Sequence, residues 1–60
     1  MWIGQTVEIL PAYTMAGLRY DDYTGCAGVV IDVADIRNVL VQIKNAPHQV
    51  WFPARRLKVK

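Results

Sequence analysis

The sequence predicts an all-β protein, a small and strongly bent antiparallel barrel of five strands. Three observations lead there. Apolar and polar residues alternate over short runs, as in Thr6-Val7-Glu8-Ile9 and Val39-Leu40-Val41-Gln42-Ile43-Lys44, and period two marks half-buried strands. These runs are rich in β-branched residues and are separated by Gly, Pro, Asn and Asp, which favour turns. No segment carries a convincing helical period, and no internal repeat is present.

In chain order, Gly4-Gln5 opens a first strand in which Val7 and Ile9 share one face and Thr6 and Glu8 the other. Pro11 ends it. Residues 12–25 are the least regular part and are expected to form one long loop between strands 1 and 2. Ala12 to Leu18 has some helical propensity, but Gly17 and the shortness of the segment oppose a stable helix. Gly25 and Gly28 then admit a bend or bulge at the start of a second strand. Its Val29-Val30-Ile31 run is apolar on both faces, as suits a long bent strand serving two sheets. A turn over 34–38 follows, with Asp35 and Asn38 as turn residues.

The next strand points Val39, Val41 and Ile43 inward. Asn45-Ala46-Pro47-His48 forms a hairpin loop, and Gln49 to Phe52 the fourth strand. If Val50 and Phe52 face the core, Trp51 faces out. Pro53 removes a ladder donor and holds Phe52 extended, so Phe52 closes the strand and Pro53-Ala54-Arg55 makes a single 3₁₀ turn. In the last strand Leu57 and Val59 are expected to face in and Lys58 and Lys60 out.

Sixty residues make one domain, residues 1–60. A chain of this size hides only ~60% of the surface it exposes when unfolded. Hydrophobic residues are 53% of the chain, more than so small a fold hides easily, and the excess argues for a surface that meets something else. The apolar runs are far shorter than the roughly 20 residues a membrane helix needs, and no charged segment leads into an apolar one as in a signal peptide. Cys26 is the single cysteine, which excludes an intrachain disulfide and reads as a small buried apolar residue. These features fit a reducing, cytoplasmic setting.

At this point the chain resembles an SH3-like barrel of the KOW type. The matching residues are the Gly4-x-x-Val7-x-Ile9 opening, the Gly25-x-x-Gly28-x-Val30 strand, and the Trp51-Phe52-Pro53-x-x-x-Leu57 ending. The resemblance implies five strands, a long loop between the first two and a 3₁₀ turn before the last. It also implies binding without catalysis, to RNA, DNA or protein, often within a larger assembly. Two narrower relatives fit less well. The Tyr20-Asp21-Asp22-Tyr23 and Phe52-Pro53 segments echo peptide-binding SH3 domains, but the paired tryptophans of that family are missing and Leu57 stands where a groove tyrosine belongs. The small plasmid-type dihydrofolate reductases carry polar pore residues where this chain has Val50, Trp51 and Phe52.

No enzyme is expected. One cysteine, one histidine and scattered carboxylates cannot supply a tetrahedral metal site at ordinary spacing. Nothing places Cys26 beside His48 as a nucleophile and base, and no glycine-rich phosphate cradle precedes a helix. Neither a cofactor, nor a metal, nor a small-molecule substrate, nor a membrane is indicated. Binding remains, with two alternatives.

In the first alternative, Trp51, Arg55, Arg56, Lys58 and Lys60 form a nucleic-acid surface, DNA or RNA. The cations meet phosphates and Trp51 stacks on an unpaired base for ~1–3 kcal/mol. In the second, the chain is a protein–protein interaction module or a small subunit. It meets another protein, or its own copy as a homo-oligomer, through Trp2, Met15, Leu18, Leu40 and Trp51. Tyr13, Tyr20 and Tyr23 are loop contacts under either alternative, unless they lie over the open end of the core. The basic end favours nucleic acid. The formal net charge of only +2 favours protein, and the C-terminal lysines also suit an edge strand guarding against unwanted pairing.

Overall fold

The fold is organised around Ala27–Asp35, the longest strand, which carries the partners of both its neighbours. The computed structural model describes residues 1–60. Its elements are β1 (Thr6–Ile9), β2 (Ala12–Thr14), β3 (Gly17–Arg19), β4 (Ala27–Asp35), β5 (Asn38–Ile43), β6 (Gln49–Phe52), a 3₁₀ turn η1 (Ala54–Arg56) and β7 (Leu57–Val59). Over half of the chain is strand and the all-β expectation holds. No helix is long and apolar enough to cross a membrane.

Five antiparallel strands form one sheet in the order β6-β5-β4-β1-β7. The first part of β4 pairs with both β1 and β5, with Thr6 opposite Val29 and Val29 opposite Gln42. Its later part pairs with β5 alone. Register shifts fall between Val30 and Asp32 and between Val33 and Asp35. Each extra residue bends the strand and raises its twist, which curls the sheet around its own inner face. Gly28 is the close-approach point of this curl. A Cβ there would lie 2.5 Å from Val41 Cγ1 and 2.8 Å from the Gln42 carbonyl oxygen.

The inner face holds Val7, Ile9, Val30, Val39, Val41, Ile43, Phe52 and Leu57, and no polar residue is buried with them. The alternation expected for β1, β5 and β6 is what places these residues: β1 and β5 bury every second side chain. Gly25, at φ 87°, turns the chain into β4, with its N–H donating to the Ile9 carbonyl at 2.8 Å.

Three expectations are corrected. The sheet does not close into a barrel: β6 and β7 remain at its two edges, with no ladder between them. Short strands joined by η1 bring Phe52 and Leu57 into one core without aligning their backbones. The segment after Pro11 is not a plain loop, because β2 and β3 pair as a separate two-stranded ribbon, with Tyr13 opposite Leu18. Thr14 builds its turn, donating from Oγ1 to the Gly17 carbonyl at 2.8 Å and accepting the Ala16 N–H, while Gly17 takes φ 112°, a region open to glycine. Finally, Val59 shares the inner face with Leu57, opposite Val7, but is left 45% exposed because β7 is an edge strand.

Candidate functional site

Three connecting segments are linked through η1. They are the loop 20–24, the β4–β5 turn over Asp35–Asn38, and the turn from Pro53 through η1. Pro53 sits at φ −68° and ψ 147° before η1, and the Arg56 N–H donates back to its carbonyl at 3.0 Å. The Ala54 N–H donates to the Ile36 carbonyl at 3.0 Å, which staples η1 to the β4–β5 turn. That turn is fixed from within, since Asp35 accepts from the Arg37 N–H at 2.7 Å and from the Asn38 amide.

Arg56 joins η1 to the loop 20–24. Its Nη2 meets Asp21 Oδ2 at 2.9 Å. Its Nε donates to the Leu10 carbonyl at 3.1 Å, and the Leu10 N–H donates to the Arg56 carbonyl at 2.7 Å. The guanidinium carbon lies 5.1 Å from the Phe52 ring centroid, within cation–π range. Asp21 is equally engaged, with Oδ1 accepting from the Tyr23 and Thr24 N–H groups at 3.0 and 3.1 Å. Partial desolvation raises the Asp21 pKa. The Tyr23 N–H, Arg56 and Thr24 together outweigh it, so the carboxyl titrates below its ordinary range.

A carboxylate whose folded pKa is depressed contributes stability above its unfolded pKa and loses it as pH falls through the folded value. Arg56→Ala should therefore destabilise the fold by about 1–2 kcal/mol near neutral pH, through the lost hydrogen bond and ring contact. The gap from wild type should narrow on acidification below the ordinary carboxylate range. Urea unfolding of both proteins along a pH series measures it, and a gap independent of pH would show that the Asp21 contact adds nothing.

Arg56 is thus a tether for the loop and not an open contact residue. Of the other residues in the expected nucleic-acid patch, Lys60 pairs with Glu8 at 3.5 Å, and Lys58 lies opposite Glu8 on β7. Trp51 is 49% exposed on β6, in one cross-strand row with Leu40 and Asp32. Arg55 is exposed. Trp51 lies on β6 and Lys58 on β7, the two edge strands, which share no ladder. The tyrosines divide as well. Tyr23 lies over the core, edge-on to Phe52 with ring centroids 6.0 Å apart. Tyr13 and Tyr20 are exposed.

Family models, curated proteins and solved structures show no match to this chain. The site therefore rests on its own geometry. Ile36, Arg37, Pro53, Ala54 and Arg55 line a shallow groove between the two stapled turns. Ile36, though apolar, is 80% exposed. Neither Arg37 nor Arg55 is in an ion pair; the salt bridges are those of Arg56 and Lys60. Ile36 and Arg37 were not singled out in the sequence, where they read only as turn residues between Asp35 and Asn38. An isoleucine inside a turn of polar residues was the available signal. No group of three or more His, Cys, Asp or Glu side chains lies together. The groove offers aliphatic and guanidinium contacts.

Proposed function

We propose that this chain is a non-catalytic protein-interaction module with an SH3-like fold. It engages a partner protein through the β2–β3 ribbon and the adjoining loop end of the sheet. One observation carries the reading. The ribbon pairs only with itself and shows Tyr13 and Leu18 side by side on one face, with Met15 at its tip and Tyr20 just after it, all exposed. A two-stranded ribbon is marginal by itself in water, and a contiguous exposed apolar surface marks an interaction site. The strand order, the long excursion after β1, the bent β4 and the 3₁₀ turn before β7 support the SH3-like assignment, with KOW modules as the nearest pattern.

The nucleic-acid reading keeps Trp51, Arg55 and Lys58. Arg56 and Lys60, however, are engaged with Asp21 and Glu8, which leaves no continuous basic track for a phosphate backbone. The test uses affinity capture from native lysate with and without nuclease, comparing wild type with Tyr13→Ser/Leu18→Ser. Both side chains are exposed, so the variant should fold. A nuclease-resistant protein partner that the variant loses is the expected result. A partner lost on nuclease treatment, or retained equally by the variant, contradicts it. Sedimentation of the pure protein over a concentration series identifies a second copy as that partner if the mass rises.

A further inference from the structure

We infer that the groove between the β4–β5 turn and η1 recognises an acidic, apolar segment of a partner polypeptide, with Arg37 and Arg55 as the carboxylate-reading residues. The inference rests on the reading of this end of the molecule as a protein-binding surface. It adds the chemistry of the partner.

The contrast between Arg55 and Arg56 is the starting point. Adjacent in η1, they have opposite fates. Arg56 is turned inward onto Asp21, Leu10 and Phe52. Arg55 is exposed, unpaired and lines the groove. Arg37 reaches the same groove from the other turn, also exposed and without an ion pair. Asp35, the nearest acidic residue in the sequence, is committed to the Arg37 N–H and the Asn38 amide within its own turn. Two exposed arginines therefore line a groove that contains no carboxylate residue.

Guanidinium forks match carboxylate oxygens in a paired, planar geometry and hold them more strongly than a neutral donor would. Their backbone positions are fixed in advance by the Ala54 N–H to Ile36 bond at 3.0 Å, so little ordering is required on binding. The rest of the lining is aliphatic: Ile36, Pro53 and Ala54. An aliphatic lining suits leucine- or proline-like side chains between the carboxylates. A nucleic acid would look for an aromatic stacking platform, and no aromatic residue lines the groove.

The test is an NMR titration of ¹⁵N-labelled protein with a short peptide of alternating leucine and glutamate. Its leucine–lysine counterpart and single-stranded oligothymidylate are the comparison probes. The expected result is binding of the glutamate peptide, with shifts centred on Ile36, Arg37, Ala54 and Arg55 and little response to the lysine peptide. Arg37→Ala/Arg55→Ala should weaken it about tenfold or more. Arg37→Glu/Arg55→Glu should invert the preference toward the lysine peptide. Both substituted side chains are exposed, and the unchanged dispersion of core resonances verifies folding in the same spectra.

Equal binding of the two peptides, unaffected by either variant, would overturn the inference and leave the protein-binding reading standing. Tighter binding of oligothymidylate than of either peptide would overturn both. Absence of glutamate-peptide binding, or binding that maps away from the groove, would overturn the inference alone.

Discussion

Phe52→Ala should leave this chain largely unfolded at room temperature. Phe52 is buried and sits where β6 ends, opposite Val39 on β5. The Tyr23 ring meets it edge-on and the Arg56 guanidinium lies over its face. Truncating a buried phenylalanine to alanine costs about 3–5 kcal/mol. The core of a domain this small rarely supplies more than about 3–5 kcal/mol in total, so one substitution removes most of the available stability. The loop 20–24 loses its footing in the same step, because Tyr23 and Arg56 both rest on that ring. Loss of β-sheet circular dichroism and of amide dispersion is the expected readout. A cooperative urea transition within about 1 kcal/mol of wild type would mean the core does not depend on Phe52. Trp51→Ala, one residue earlier and facing out, should leave the transition nearly unchanged.

Gly28→Ala is the second large effect, although it adds a single methyl group. At this position the new Cβ meets Val41 Cγ1 at 2.5 Å and the Gln42 carbonyl oxygen at 2.8 Å. Val41 is fully buried and has little room to rotate, and the Gln42 backbone cannot retreat without disturbing the β4–β5 ladder. Overpacking of this kind costs about 1–3 kcal/mol, a large share of what the domain has. Gly25→Ala is the informative comparison. Nothing lies within 4 Å of a Cβ at Gly25, so its penalty comes from a φ of 87° alone, roughly 1–2 kcal/mol. The mechanisms separate in a double-mutant cycle. Val41→Ala should offset part of the Gly28→Ala penalty and none of the Gly25→Ala penalty. Additivity at Gly28 would rule out the Val41 contact as the cause.

The strands were legible wherever an apolar face repeats at period two. Val7 with Ile9, and Val39 with Val41 and Ile43, announce both the strand and its buried side. The stop at Phe52 and the 3₁₀ turn were legible from Pro53. The β2–β3 ribbon was not, because each of its strands is three residues long, too short to show a period, and its turn depends on one threonine hydroxyl and one glycine. Closure was over-read, since strand order in sequence says which strands exist and not whether the outermost two pair.

At the site, Arg55 and Arg56 look alike in sequence. In a 3₁₀ turn successive side chains point about 120° apart, so one faces the groove while the next faces the core. The ion pairs that engage Arg56 and Lys60 join residues far apart in the chain, and no local pattern records them.

The antiparallel pairing of β1 with β7 has a consequence for how this fold can be connected to other polypeptides. Ile9 lies opposite Leu57 and Val7 opposite Val59, and the Lys60 N–H donates to the Thr6 carbonyl at 3.0 Å. The start of β1 and the finish of β7 are thus neighbours, while Leu10 and Arg56 sit together at the other end of the same strand pair, beside the loops. A polypeptide fused ahead of β1 or behind β7 departs from the end of this strand pair opposite Arg56 and the loop 20–24. A short linker between the two junctions would permit circular permutation with a new opening elsewhere in the chain.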